Sequence, residues 1–107
     1  MRTRDLRSIA RDFRAGLLGN QPSTHMCYAV SAPLAGLLQS LYGVPCEVEE
    51  VWFDETPQGT TNHYWIRLGD GRILDATADQ FGLEPVYIGP VPELYKGFME
   101  GGDPSNP

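Results

Sequence analysis

Two runs of β-forming residues, 63–68 and 72–77, flank Gly69, Asp70 and Gly71, and this hairpin constrains the fold more than any other segment. A Gly-Asp-Gly connection with Gly71 in the left-handed region favours a three-residue loop with a bulge. That loop pairs Leu68 with Arg72, and therefore Trp65 with Asp75. His63 then stands diagonal to Asp75 on one face of the hairpin, about 7 to 8 Å away at the backbone and within side-chain reach. A two-residue turn would send the same side chains to opposite faces.

The segments before the hairpin read as two helices and a strand. Leu6, Ile9, Phe13 and Leu17 recur at three and four residues with arginines between them, which predicts an amphipathic helix over about 3 to 18. Gly19, Asn20, Gln21 and Pro22 break it, and Ser23 or Thr24 is placed to cap a second helix over about 25 to 42. This second helix is apolar almost all round, so it belongs in the middle of the domain. Apolar residues then alternate over 44–54, which is a strand; their shift from even to odd positions at Val51 and Phe53 predicts a bulge near Glu49 and Glu50. Residues 54–61, with Pro57 and Gly59, read as a loop, and 86–88 as a short final strand. After Tyr95 the Gly- and Pro-rich tail reads as loose. The expected fold is α+β: two N-terminal helices, the second carrying a cysteine at its N-terminus, packed on a three- to four-stranded antiparallel sheet. The domain is expected to span 1–98, with a flexible tail over 99–107.

Charge and length narrow the function. The 107 residues suit one domain and a modest core. A net charge of -6 repels a phosphate backbone, so nucleic acid is not expected as a partner. Five of the eight basic residues lie in the first fourteen positions, where only Asp5 and Asp12 are acidic. This marks a solvated helix face or, less simply, a docking surface for an acidic partner. No apolar run is long enough for a membrane helix, and the Arg-rich start lacks the apolar stretch of a signal peptide, so a soluble cytoplasmic protein without membrane association is expected.

The chemistry centres on Cys27. In the first turn of a buried helix, free N–H groups and the helix dipole favour a thiolate, the attacking form of cysteine. A lone cysteine is more often a small buried hydrophobe, and His63 with Asp75 is what changes that balance. Asp75 accepts from one ring nitrogen of His63 and leaves the other to face the thiol as a general base. Trp65, between them, shields the His–Asp hydrogen bond while serving as a core side chain. Gln21, six residues before Cys27, either helps hold an oxyanion beside the Cys27 N–H or is a surface glutamine. Asp79 replaces Asp75 if the strand ends early; His25 is a surface or capping residue; Cys46 packs. Neither a cofactor nor a metal is expected, because Cys27, His63 and Asp75 lack a closely paired ligand motif.

These residues resemble the papain-like and transglutaminase-like cysteine enzymes, whose nucleophile begins a helix while His and Asp follow on adjacent strands. The order Cys27, His63, Asp75 matches theirs. Residues 62–81, NHYWIRLGDGRILDATADQF, look like the His-to-Asp hairpin of small bacterial transglutaminase-like proteins, and Gln21 is similarly placed to the papain-like oxyanion glutamine. The resemblance covers about residues 21 to 81. It implies acyl transfer at the amide of a peptide or protein, as peptidase, glutamine deamidase or transglutaminase, with a protein partner completing the cleft. The rival expectation is a non-catalytic binding module that keeps the fold, and a third is a reversible Cys27–Cys46 disulfide.

Overall fold

Residues 1–57 and 59–100 are described by a computed structural model. Helix α1 (Thr3–Leu18) is followed by α2 (Cys27–Tyr42), four strands, β1 (Cys46–Thr56), β2 (Gly59–Leu68), β3 (Ile73–Asp75) and β4 (Tyr87–Gly89), and a final helix α3 (Glu93–Glu100); a 3-10 turn, Ala78–Phe81, lies between β3 and β4. The strands form one antiparallel sheet in the order β1-β2-β3-β4. The α+β arrangement expected from the sequence is the one observed, with Cys27 as the first residue of α2. No helix among the described residues is long and apolar enough to cross a membrane.

Both faces of the sheet are buried. On one face Leu6 and Ala10 of α1 and Val30, Leu34 and Leu38 of α2 pack on Ile66, Leu68 and Leu74. On the other, Tyr95 and Phe98 of α3 pack with Phe53, Trp65 and Ile73. This two-sided burial corrects the bulge expected near Glu49 and Glu50. The register between β1 and β2 runs regularly from Cys46 opposite Leu68 to Phe53 opposite Thr61, and shifts only between Phe53 and Thr56. Cys46 and Val48 face the α1–α2 core, whereas Val51 and Phe53 face the α3 core. The apolar positions change parity because the strand changes which face it buries, as period-two geometry allows.

Two further readings are overturned. Residues 54–56 and 59–61 are strand rather than loop: β1 runs to Thr56 and β2 begins at Gly59, which stand opposite each other, while residue 58 of the expected loop lies outside the described residues. There Gly59 has φ of +89° and the Thr56 hydroxyl donates to the Gly59 carbonyl. Nor does the chain loosen after Tyr95, because Tyr95, Phe98 and Met99 recur at helical spacing and α3 buries them against the sheet. Met99 and Glu100 complete that helix; the remainder of the expected tail, 101–107, lies outside the described residues.

Candidate active site

The β2–β3 hairpin has the register that a left-handed Gly71 requires. Gly71 has φ of +94°, its N–H donates to the Leu68 carbonyl at 2.9 Å, and the Leu68 N–H donates to the Arg72 carbonyl at 2.8 Å. Ile66 faces Leu74 and Arg67 faces Ile73, so the same register brings Trp65 level with Asp75 and places His63 on their face of the sheet. His63 Nε2 lies 2.6 Å from Asp75 Oδ2, and both side chains are fully buried. Tyr95 Oη donates to the same Oδ2 at 2.6 Å, while the Thr77 N–H and hydroxyl reach Oδ1 at 3.0 and 3.3 Å. Four donors converge on Asp75, which suits an acceptor-only carboxylate and fixes the proton of Nε2 between ring and acid.

Cys27 meets the other side of the imidazole. β3 pairs with β2 over Ile66 and Arg67. Further along that strand, Tyr64 presents its main chain to α2. Its carbonyl accepts from Ser31 Oγ at 3.3 Å, and its N–H supports the Cys27 sulfur. Cys27 and Ser31 are four residues apart and therefore share one side of the helix. The helix starts without a side-chain cap, contrary to the cap expected from Ser23 or Thr24. Ser23 is instead spent on Asp79, its hydroxyl donating to Oδ1 at 2.6 Å.

The electrostatics follow from these contacts. Burial, leaving Cys27 9% exposed, works against a thiolate, but the hydrogen bond and positive charge of His63 and the Tyr64 and Tyr28 main-chain groups outweigh it and hold the thiol below its usual range. For His63, burial disfavours the charged ring, yet hydrogen bonds and charge from Asp75 and Cys27 prevail and raise it from 6.5 to about 9. Both shifts favour one state, a thiolate beside an imidazolium. Since Nε2 is committed to Asp75, the proton shared with sulfur belongs to Nδ1. Cys46 behaves oppositely: burial pushes its thiol up, and its sulfur lies 3.8 Å from the Ala35 carbonyl in the packing role expected of it.

No family model, curated protein or solved structure matches this chain. Trp65, 1% exposed, stacks on Tyr95 with rings 5.7 Å apart and 8° from parallel, and with Phe53 and Phe81 it walls the His63 ring. Asp79 is bound by both Arg14 nitrogens, at 2.9 and 2.6 Å, as well as by Ser23, so it ties α1 and the loop before Cys27 to the 3-10 turn. Gln21 is exposed and lines a surface depression with Arg11, Arg14, Leu18 and Pro85. His25 is exposed with φ of +63° and borders a pocket together with Thr24, Thr60, Thr61, Gln80 and Phe81.

Sequence reasoning missed Thr77, Gln80 and Tyr95. Gln80 Nε2 lies 3.5 Å from His63 Nδ1 and donates to Thr77 Oγ1 at 3.1 Å. A signal for Thr77 was present, since an aspartate commonly accepts from the backbone N–H two residues on, as Asp75 does from Thr77. Tyr95 gave none, because its contact with Asp75 spans a stretch read as strand, loop and tail.

Proposed function

We propose that this protein is a cysteine-dependent acyl-transfer enzyme acting on an amide bond. One observation carries the reading: the buried His63 ring bonds to Asp75 through Nε2 and interacts with the Cys27 thiol, which leaves Nδ1 for the sulfur. The arrangement of a nucleophile opening a helix, with His and Asp on adjacent antiparallel strands, is like that of the papain-like and transglutaminase-like enzymes, and supports the same chemistry.

In this reading the Cys27 thiolate attacks the amide carbonyl, and the Nδ1–H of His63 protonates the departing amine. A thioester remains. His63, now neutral, takes a proton from water as it attacks, and the acid leaves with regeneration of the thiolate and imidazolium. Asp75 holds the ring in the one orientation that serves both steps. Peptidase, glutamine deamidase and transglutaminase reactions share this course up to the thioester, and hydrolysis is the default because no acceptor-amine site is evident among the described residues. Exposed Tyr28, next to Cys27 and packed edge-on against Tyr64, offers aromatic surface to a protein substrate or a cleft-completing partner, and exposed Trp52, opposite Asn62, lies on the same face of the sheet as Tyr64. Two free thiols suit a reducing compartment, hence the cytoplasm.

Turnover of p-nitrophenyl acetate and of a panel of peptide amides and glutamine peptides tests the proposal. The wild-type protein is expected to turn over at least one of them, with loss of activity in Cys27→Ala and His63→Ala. Wild-type rates equal to those of Cys27→Ala would overturn it and leave the fold as a binding module.

A further inference from the structure

Gln80 is a polar side chain beside His63 that the mechanism above leaves unused, and its hydrogen bonds settle which way its amide points. Asp75 Oδ1 accepts from the Thr77 hydroxyl at 3.3 Å, which commits the single hydroxyl proton of Thr77. Thr77 Oγ1 can therefore only accept in its 3.1 Å contact with Gln80, so the NH2 end of Gln80, not its carbonyl, faces Thr77 and His63. One of the two Nε2 protons is spent on Thr77. The other is directed toward His63 Nδ1, 3.5 Å away, which is long for a hydrogen bond.

In the thiolate–imidazolium state Nδ1 carries a proton and offers no lone pair. Two donors then face each other, and the second Gln80 N–H has no acceptor on the ring. It does have an open pocket: Gln80 lines it with Thr24 and His25, which lead into Cys27, and with Thr60, Thr61 and Phe81. Because His63 meets both Gln80 and Cys27, a donor in this position, held by a buried Thr77 and fixed on the 3-10 turn, suits an oxygen that gains negative charge on a carbonyl attacked by Cys27.

We propose that Gln80 is a catalytic residue whose Nε2–H donates to the tetrahedral oxyanion, the role that sequence reasoning offered to Gln21; this rests on the acyl-transfer reading above. The bond is made only as charge develops: the carbonyl carbon gains the sulfur, its oxygen takes the π electrons as O⁻, and Gln80 is released when the C=O re-forms and the leaving group departs. Gln21 takes no part.

The test compares two reactions of Cys27 in full-length protein. Hydrolysis of p-nitrophenyl acetate builds an oxyanion, whereas alkylation by iodoacetamide displaces iodide at a saturated carbon and builds none. Gln80→Ala is expected to lower kcat/KM for the ester by about 100-fold, the usual effect of removing one such donor. Its alkylation rate and pH profile should stay within about twofold of wild type, which also shows that Cys27 and His63 remain assembled. Gln80→Glu should lose ester turnover at least as severely, because a carboxylate repels the oxyanion, while Gln21→Ala should keep it. Ester turnover by Gln80→Ala near the wild-type rate overturns the assignment, as does a parallel fall in turnover and alkylation, which would mean that Gln80 only holds His63. Failure of the acyl-transfer reading itself looks different: wild-type protein then hydrolyses the ester no faster than Cys27→Ala.

Discussion

Replacing Asp75 by Asn changes one atom and exposes what the buried acid does. A carboxamide has one acceptor oxygen where the acid has two, so one pair of donors must face an NH2 group. If that pair is the Thr77 N–H and hydroxyl, a main-chain donor is stranded in the core, at a cost of about 1 to 3 kcal/mol. If it is His63 and Tyr95, the tyrosine can turn to accept, but the ring must give up its Nε2 proton and become neutral. The rise of His63 from 6.5 to about 9 corresponds to roughly 3 kcal/mol in favour of the charged ring, which that arrangement forfeits.

Across the two cases Asp75→Asn should cost about 1 to 3 kcal/mol near pH 6, and the cost should depend on pH. Because the folded-state value of His63 lies above its unfolded value, its contribution is complete below 6.5 and disappears as pH rises through about 9. Urea unfolding of both proteins with Cys27 in place, because Cys27 contributes to the raised His63 value, reads this. The gap between them should narrow from about pH 6 to about pH 10. A gap below about 1 kcal/mol at the lower pH, or one independent of pH, would refute the argument that Asp75 holds a buried imidazolium.

Two other changes probe the surroundings. Tyr95→Phe keeps the ring stacked on Trp65 but removes the donor that shares Oδ2 with His63; with more charge left for Nε2, the alkaline limb of amide turnover, where His63 loses the proton the leaving amine needs, should move to higher pH, and an unmoved or lowered limb would contradict this. Phe98→Ala should cost about 3 to 5 kcal/mol in urea unfolding because Phe98 packs on Phe53 and Phe81; a cost under about 1 kcal/mol would mean that α3 contributes little to the core.

What could be read in the sequence was local and periodic. The Gly69-Asp70-Gly71 turn dictates a register through the handedness of one glycine, and that register alone brings His63 to Asp75. A second helix beginning near residue 25, two residues before its observed start at Cys27, follows from the break at Pro22 and the apolar run beyond it. What could not be read depends on partners far along the chain. Whether Val51 and Phe53 lie across a bulge or on a second buried face is decided by α3, roughly forty residues on. α3 itself was obscured because its apolar residues, Tyr95, Phe98 and Met99, sit among Gly and Pro that dominate the tail's composition. The two glutamines show the same limit: Gln21 is nearer to Cys27 in sequence, but Gln80 is nearer to His63 in space, because the 3-10 turn folds back under Asp75.

The central claim is a thiolate at Cys27 maintained by His63, and the alkylation rate of each cysteine against pH tests it most directly. An ordinary thiol at 9.0 has only about a thousandth of its population ionised near pH 6, and Cys46 should have less. Cys27 is predicted to react with iodoacetamide far faster than Cys46 at that pH, and His63→Ala to erase the difference. Slow modification of both thiols along the same titration curve would contradict the account.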